Sequence, residues 1–319
     1  MNGIIWRSIV AGRQDRTGIT IIDLVRMFPD EDAARRWFEG IVWPDGERYC
    51  PRCGSFDTHE CSHPKMPYRC RDCRKYFGVK TGTVMADSPI PLQKWVFAIY
   101  LDLTSLKGVS SMKLSRDIGV TQKTAWFMQQ RIREAFAEKG EAVMAGPTEV
   151  DETYVGGKKK PGTPGRGAVG KAVVAGAKER NSKRVQARVV PNIRRQTLYD
   201  FVRENVAPGM VVYTDELASY RGIPNPHRTV NHSARQYVDG MAHTNGIESF
   251  WAMLKRGYHG TYHWISHKHL QRYVDEFAER HNIRGMDTAD QMTHLAAGMI
   301  GKRLTYRNLV GDGPYRRKA

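Results

Sequence analysis

The sequence lacks several features that would assign it to common protein classes. It has no uninterrupted apolar run of about 18 residues, which excludes an ordinary transmembrane helix. Its first twenty residues contain three arginines and no apolar stretch that ends in a small-residue cleavage site, so we expect no secretory signal and a cytoplasmic location. No internal repeat or long low-complexity tract is visible. With 319 residues, 40% hydrophobic and 26% charged, the chain is predicted to fold into two or three globular domains.

Acidic residues are scarce relative to basic ones. The chain has 33 Asp and Glu against 50 Lys and Arg, which leaves a formal net charge of +17. Such an excess of positive charge indicates a polyanionic partner, and nucleic acid is the first candidate. We expect the partner to be double-stranded DNA, and we expect no association with a membrane.

Cysteine is also scarce, but its spacing is informative. Of the five cysteines, Cys50 and Cys53 form one C-x2-C pair, and Cys70 and Cys73 form another sixteen residues later. Two such pairs are typical of a tetrahedral four-thiolate zinc site, which is structural because it leaves no open coordination position. The segments between the pairs are long enough for two short strands, which predicts a zinc ribbon. Disulfides or a redox dithiol are the alternative, and Cys61 is interpreted as a bystander or a replacement ligand.

The first half of the chain is predicted to be helical around this ribbon. We divide it into an N-terminal helical segment (1–45), the ribbon (46–86) and a helical region (87–145). In the last, Ser110–Asp117 and Gln122–Phe136 are predicted helices that are joined by a short turn containing Gly119, which is typical of a helix-turn-helix. The alternative is a plain helical hairpin. In the helix-turn-helix interpretation the second helix contacts DNA through Gln122, Lys123, Gln129, Arg131 and Arg133.

From about Pro147 the pattern changes to that of an α/β domain, which we place at 146–285, followed by a C-terminal helical tail (286–319). Three consecutive strands, a helix, a strand and later helices predict a mixed sheet. The loop after the first strand is rich in glycine, contains no acid and is expected to contact DNA. Its basic candidates are Lys158, Lys159, Lys160 and Arg166.

Three acids in this domain lie where a sheet could present them together. Asp151 lies within the first predicted strand, Asp215 follows a strongly apolar strand, and Glu248 lies early in a predicted helix. They can meet only if the first and fourth strands are neighbours and the helix packs across them. Converging carboxylates repel one another and need cations, and oxygen ligands suit Mg²⁺ or Mn²⁺ in a two-metal phosphoryl-transfer site. Lys255 lies two turns after Glu248 on the same helix face and could contact a phosphate.

The order of these motifs resembles the DDE transposases of bacterial insertion sequences, in particular the ISXO-like group with an N-terminal zinc ribbon. The most specific stretch runs from Asn245 to Trp251 and reads Asn-Gly-Ile-Glu-Ser-Phe-Trp; the others surround Cys50, Asp151 and Asp215. The resemblance implies a ribonuclease-H-like catalytic domain, a metal-dependent reaction that cuts element ends and joins the 3′ hydroxyl to target DNA, and at least a homodimer.

Within this resemblance, Asp151, Asp215 and Glu248 are the expected metal ligands and Asp151 bridges both ions. Asn245 is an alternative third ligand, since related groups use Asn there, and Glu149 is a competing acid on the strand of Asp151. Two alternative functions share much of this pattern. One is a DNA-binding regulator or inactive relic, and the other is a ribonuclease-H-like nuclease or resolvase without strand transfer.

Overall fold

A computed structural model describes residues 16–137, 143–156, 170–229 and 244–311. Packing divides the chain into two compact units, Met1–Phe136 with Ile283–Ala319, and Ala137–Asn282. The helices and strands of the first unit are α1 (Ile21–Met27), α2 (Glu31–Val42), β1 (Thr58–Glu60), β2 (Tyr68–Cys70), β3 (Tyr76–Phe77), α3 (Leu92–Thr104), α4 (Ser111–Ile118) and α5 (Gln122–Phe136). Those of the second unit are β4 (Thr148–Val155), β5 (Ala172–Glu179), β6 (Val185–Val190), α6 (Arg195–Asn205), β7 (Val212–Thr214), β8 (His227–Thr229), α7 (Asn245–Gly257) and α8 (His267–Asn282). The chain then returns to the first unit with α9 (Thr288–Ala297) and α10 (Tyr306–Val310).

The first unit contains a small antiparallel sheet in the order β1-β2-β3, which is the ribbon. One hydrophobic core joins this sheet to the helices and includes Phe38 of α2, Phe77 of β3, Trp95 of α3 and Leu295 of α9, all buried. The sequence predicted the first two strands but not β3, which has only two residues and therefore too little pattern to recognise.

The C-terminal segment belongs to this first unit rather than forming a separate tail. Met292, Leu295 and Met299 lie in the same hydrophobic core as α2, α3 and α5. The amide of Val84 donates to the carbonyl of Met299 at 3.0 Å, which ties the segment to the end of the ribbon. The described residues up to Phe136 and from Ile283 onward therefore belong to one compact unit.

The second unit is a five-stranded mixed sheet in the order β6-β5-β4-β7-β8. Strand β5 runs antiparallel to its neighbours β4 and β6, whereas β7 and β8 run parallel to β4. This arrangement is that of a ribonuclease-H-like domain, as the sequence predicted. The first and fourth strands, β4 and β7, are neighbours, which is the condition for bringing Asp151 and Asp215 together.

Helices cover both faces of this sheet. On one face, α7 and α8 bury Ile247 and Phe277 against Val174 of β5. On the other, α6 buries Phe201 against Val150 of β4. A sheet that is covered on both sides leaves the carboxyl ends of its parallel strands as the place where polar groups can gather. No helix in the described ranges is long and apolar enough to cross a membrane.

Candidate active site

Three carboxylates meet at the end of strands β4 and β7. One oxygen from each of Asp151, Glu152 and Asp215 lies within 4.8 Å of the other two. Asp215 follows the last residue of β7, and parallel pairing of β7 with β4 places it beside Asp151. All three side chains are partly buried. The structure therefore brings together two of the acids that the sequence singled out, with Glu152 as a third.

The charge on Asp151 is poorly compensated within the protein. Burial, together with the neighbouring carboxylates of Glu152 and Asp215, raises the pKa of Asp151 from 3.8 to about 7. Two hydrogen bonds favour the ionised form: one comes from the backbone of Glu152, and in the other the indole Nε1 of Trp251 donates to Asp151 Oδ2 at 3.0 Å. A group in this state gains from a nearby cation.

Trp251 reaches Asp151 because the opposite strand has no side chain in its path. Asp151 pairs across the sheet with Gly176 of β5, and a Cβ on Gly176 would lie 2.5 Å from the Trp251 ring. Trp251 is only 4% exposed and forms part of the core with α8. A glycine and a tryptophan from distant parts of the chain together determine the orientation of the carboxylate.

The start of α7 is anchored to the same two strands. Glu149 of β4 accepts a hydrogen bond from the Ile247 amide at 3.0 Å, and its cross-strand partner Lys178 donates to the Gly246 carbonyl at 2.9 Å. Glu149 also forms a buried ion pair with Arg180 at 3.0 Å. A Cβ on Gly246 would lie 2.6 Å from Glu149, which explains the glycine in the Asn-Gly-Ile-Glu stretch. Glu149 thus anchors a helix, a role that competes with metal ligation.

Glu248 does not belong to the compact carboxylate cluster. It is exposed in the first turn of α7, and its Oε1 accepts a hydrogen bond from Thr244 Oγ1 at 2.9 Å. Glu248 is followed along the helix by Trp251 one turn later and by the exposed Lys255 a further turn on. Because Trp251 contacts Asp151, this stripe of α7 is the part of the helix next to the cluster. Asn245, the alternative third ligand, is exposed at the first residue of the same helix.

Glu152 is the member of the cluster that sequence reasoning missed. It follows Asp151 directly, so it points toward the opposite face of the sheet, and adjacent strand residues are not expected to share a site. Its Oε2 accepts a hydrogen bond at 3.0 Å from the hydroxyl of Tyr220, which is fully buried. Burial raises the pKa of Tyr220 well above its ordinary value, so the phenol remains a donor. The sequence could have indicated Glu152 as a member of the cluster only if the position where β7 ends beside β4 had been known.

Asp215 is held by the turn that follows it. Its Oδ1 accepts a hydrogen bond from the Leu217 amide at 3.0 Å, which leaves the other oxygen for the cluster. Thr214 donates to the carbonyl of Asp215 at 2.8 Å and also contacts Nε2 of His227 on β8 at 2.8 Å. Backbone and side-chain bonds therefore fix the position of the carboxylate at the end of β7.

The four paired cysteines form a second candidate metal centre, in the first unit. One ligand atom from each of Cys50, Cys53, Cys70 and Cys73 lies within 4.8 Å of the others. The residue after each pair, Gly54 or Arg74, adopts a positive φ, so the two turns have the same shape. A hydrogen bond from the Cys73 amide lowers the pKa of the Cys70 thiol to about 7. Cys61 is not part of the group; its thiol donates to the Met66 carbonyl at 3.4 Å.

Comparison with known proteins decides the family. Residues 143–282 match the ISXO2-like transposase domain, and residues 29–76 match the transposase zinc-ribbon domain. An uncharacterized transposase-like protein of Haemophilus influenzae is 34% identical over 97 residues, which are 30% of this chain and 77% of that protein. The chain belongs to the ISXO2-like transposase family. An uncharacterized protein in transposable element ISH50 of Halobacterium salinarum is 28% identical to this transposase over 81% of the chain and 93% of its own length.

A solved structure of a simian T-cell lymphotropic virus intasome, in complex with the PP2A regulatory subunit B56 gamma, was also matched. The similarity is 14% in sequence with a TM-score of 0.28, over 55% of this transposase and 64% of that chain. A score this low does not establish a shared fold.

The helix-turn-helix candidates of the transposase divide into two groups. The helices α4 and α5 are separated by three residues, and Gly119 adopts the left-handed conformation that such a turn needs. At the start of α5, Gln122 and Lys123 are exposed. The N-terminal end of a recognition helix is the part that contacts base edges in this motif.

The other three candidates on α5 are buried, which corrects the expectation that they contact DNA. Gln129 donates to the carbonyl of Val109 at 2.7 Å, and Arg131 donates to the carbonyl of Leu304 at 3.2 Å. Arg133 is only 1% exposed. Residues near the C-terminus cover this part of the helix, a long-range contact that helical periodicity does not reveal. The basic loop candidates Lys158, Lys159, Lys160 and Arg166 lie outside the described residues.

Proposed function

We propose that this protein is the enzyme that moves its own element: it cuts the element ends and joins the freed 3′ hydroxyl to target DNA by metal-dependent phosphoryl transfer. One observation carries the proposal. Asp151 and Asp215, which are distant in the chain, bring their carboxylates together at the carboxyl end of two parallel strands. Membership of the transposase family supports the same reaction.

The chemistry of the carboxylate cluster fits divalent cations. Several oxygens within 4.8 Å of one another form a hard ligand set of the type that Mg²⁺ and Mn²⁺ prefer. Burial and the neighbouring carboxylates raise the pKa of Asp151, and a bound divalent cation would favour its ionised form. When bound, a pair of such ions supplies an activated oxygen nucleophile and stabilises the leaving oxygen of the phosphodiester.

The residues around the cluster have distinct proposed roles. Asp151, which Trp251 orients, would be a ligand of the metal ions. Asp215 would hold the ions from the end of β7, and Glu248, on the stripe of α7 that contains Trp251, would be the third ligand once its bond to Thr244 is released. Lys255 binds a phosphate of the DNA beside the cluster.

The remaining assignments follow the architecture of the first unit. Cys50, Cys53, Cys70 and Cys73 hold a structural Zn²⁺, which stabilises a ribbon with little core of its own. Gln122 and Lys123, at the exposed start of α5, bind double-stranded DNA. Because two element ends must be joined in one event, the active form is a homodimer or larger.

Strand transfer with a pre-cut substrate tests the proposal and separates it from its alternatives. The purified protein is given duplex element ends that already carry a 3′ hydroxyl, a supercoiled plasmid and Mn²⁺, and joined products are counted. Joining that is lost in Asp215→Asn supports the proposal. The matched control is Asp200→Asn, because Asp200 is an acid on α6 that is paired with Arg203 outside the cluster.

Other outcomes would overturn the proposal. Hydrolysis without joining would indicate a nuclease or resolvase. DNA binding with neither reaction would indicate a regulator. If Asp215→Asn joined as well as the unmodified protein, the carboxylate site itself would be wrong.

A comparison of the Glu248 and Glu152 variants identifies the third metal ligand. Glu248→Gln should lower both joining and Mn²⁺ affinity, since the charged oxygen is lost, whereas Glu152→Gln should leave more of both because Glu152 is held by Tyr220. The reverse order would assign the third ligand position to Glu152. Loss of joining in Asn245→Ala alone would assign it to Asn245.

A further inference from the structure

The segment that follows α9 lies along α5 and runs in the opposite direction. Near the end of α5, Lys302 Nζ donates to the carbonyls of Glu134 and Ala135 at 3.0 and 3.3 Å. The Leu304 carbonyl accepts from Arg131 one turn earlier. Two further residues along, Tyr306 has reached the start of α5. The C-terminal segment thus ends beside the part of α5 that is proposed to contact DNA.

Tyr306 is held against that start of α5 by two contacts. The ammonium of Lys123 lies 4.9 Å from the centre of the Tyr306 ring, within the range of a cation–π interaction. The ring of Phe127 meets it edge to face with centroids 5.6 Å apart. Tyr306 nevertheless remains 40% exposed. An aromatic residue that is fixed on one side and open on the other can present its hydroxyl to a ligand.

The short helix α10 presents more polar groups next to Tyr306. The helix is capped by Thr305, whose Oγ1 accepts from the Asn308 amide at 3.1 Å, and anchored by the fully buried Leu309. Arg307 and Asn308 are exposed. Between Met299 and Gly311 the sequence contains Lys302, Arg303 and Arg307 but no acid. A capped and anchored helix therefore carries exposed positive charge beside Lys123.

We propose that Tyr306, Arg307 and Asn308 form a phosphate-binding surface that extends the DNA contact of α5. The proposal rests on the DNA binding proposed above and adds a surface outside the ribbon, the helix-turn-helix and the catalytic domain. In helix-turn-helix complexes one helix contacts bases while neighbouring elements contact the backbone, and Arg, Asn and Tyr are all common phosphate ligands. The absence of acids in this segment favours a DNA backbone over a basic partner, and the rigid attachment to α5 sets the position of these contacts relative to the bases.

DNA binding at several salt concentrations tests the surface. The full-length protein is titrated with a random-sequence duplex and with a duplex that the unmodified protein has selected from a random pool. Arg307→Gln should weaken binding by the same factor on both duplexes, because phosphate contacts carry no sequence information. The slope of log affinity against log salt should become shallower by about 0.9 for one lost contact. Tyr306→Phe, which removes only the hydroxyl, should weaken binding in the same uniform way.

Two controls make the result specific. Arg26→Gln removes the same charge from an exposed position on α1 and should leave the salt slope unchanged. Gln122→Ala should weaken the selected duplex more than the random one, as a base contact would. Thermal unfolding of each variant checks that the first unit is intact, and Arg307 is exposed, so its loss should not unfold the protein.

The outcomes separate this inference from the proposed function. If Lys123→Gln weakens DNA binding while Arg307→Gln and Tyr306→Phe behave like Arg26→Gln, the C-terminal surface is wrong and DNA binding by α5 stands. If no variant changes the binding, or if the unmodified protein does not bind duplex DNA, the assignment of α5 fails as well. A loss confined to the selected duplex in Arg307→Gln would overturn the backbone role.

Discussion

The indole nitrogen of Trp251 donates a hydrogen bond to the carboxylate of Asp151 at 3.0 Å. This bond joins α7 to the central strand of the sheet at a carboxylate that we propose as a metal ligand. It is the type of contact that orients a ligand without touching the metal. The helix that carries Glu248 and Lys255 is thereby placed next to the carboxylate cluster.

The first prediction removes this donor. Trp251→Phe keeps an aromatic ring in the core but loses the N–H, so Asp151 loses the side-chain hydrogen bond that orients it. We expect Mn²⁺ affinity to fall by about tenfold, as for other residues that support metal ligands. Isothermal titration calorimetry measures the affinity, and circular dichroism monitors the fold.

The matched control is Trp37→Phe, which makes the same replacement at a partly buried tryptophan that packs against the core of the first unit. It should leave Mn²⁺ affinity unchanged. Equal affinities in the Trp251 variant and the unmodified protein would show that the hydrogen bond does not orient the ligand.

The second prediction concerns the space that Trp251 occupies. In Gly176→Ala the new Cβ would lie 2.5 Å from the Trp251 ring, so ring or strand must shift. Overpacking of this kind destabilises by about 1–3 kcal/mol. Urea unfolding measures the change, and Mn²⁺ affinity should fall along with stability because the indole moves away from Asp151.

Gly40→Ala provides the contrast for that experiment. Gly40 is an exposed residue of α2 with nothing within 4 Å of the new Cβ, and alanine is favoured in a helix by about 0.5–1 kcal/mol. This variant should be slightly more stable than the unmodified protein. A Gly176→Ala protein with full stability and full metal affinity would disprove the packing argument.

Local sequence patterns predicted most of the elements that form the site. The apolar strand before Asp215, the strand around Asp151 and the helix around Glu248 lie where periodicity placed them, because each is a short-range pattern. Glu152 was missed because its inclusion depends on where β7 ends and on Tyr220, which is distant in the chain. Neither of these is visible in the alternation of residues along β4.

The helices α4 and α5 illustrate a different limit. The boundaries of α4 and α5 follow from the pattern, but polar residues on α5 do not reveal which face is covered. Gln129 and Arg131 are polar and nevertheless buried, since Gln129 donates to Val109 and Arg131 donates to Leu304, which lies 173 residues later. Only long-range contacts distinguish a polar side chain that binds DNA from one that satisfies buried carbonyls.

The third prediction tests the cysteine centre. Cys70→Ser removes one of the four clustered thiols, and Cys70 also belongs to the core of the first unit. We expect loss of bound zinc in native mass spectrometry and a clearly lower unfolding temperature, because structural zinc sites contribute directly to folding. A strong chelator should give the same shift in the unmodified protein.

Cys61→Ser is the control for this variant. Cys61 is not part of the cluster. Its thiol donates a hydrogen bond to the Met66 carbonyl. The variant should keep its zinc and its unfolding temperature. Retention of zinc in Cys70→Ser with loss in Cys61→Ser would exchange the roles of the two residues.

The fourth prediction uses the ionisation of Asp151. Its pKa is about 7 in the folded protein and 3.8 ordinarily, so between these values the unfolded chain releases a proton that the folded chain keeps. Folding stability in the absence of metal therefore falls as pH rises through this window. At about 1.4 kcal/mol per pKa unit the loss amounts to roughly 4 kcal/mol above pH 7.

Asp151→Asn removes this titration, so the variant should be more stable than the unmodified protein at about pH 8 in EDTA, and the difference should vanish below about pH 4. Addition of Mn²⁺ should reverse the order at the higher pH, since only the carboxylate gains from the ion. Urea unfolding at both pH values, with and without Mn²⁺, measures all four differences. A variant that is less stable than the unmodified protein in EDTA at the higher pH would mean that the charge on Asp151 is compensated without a metal.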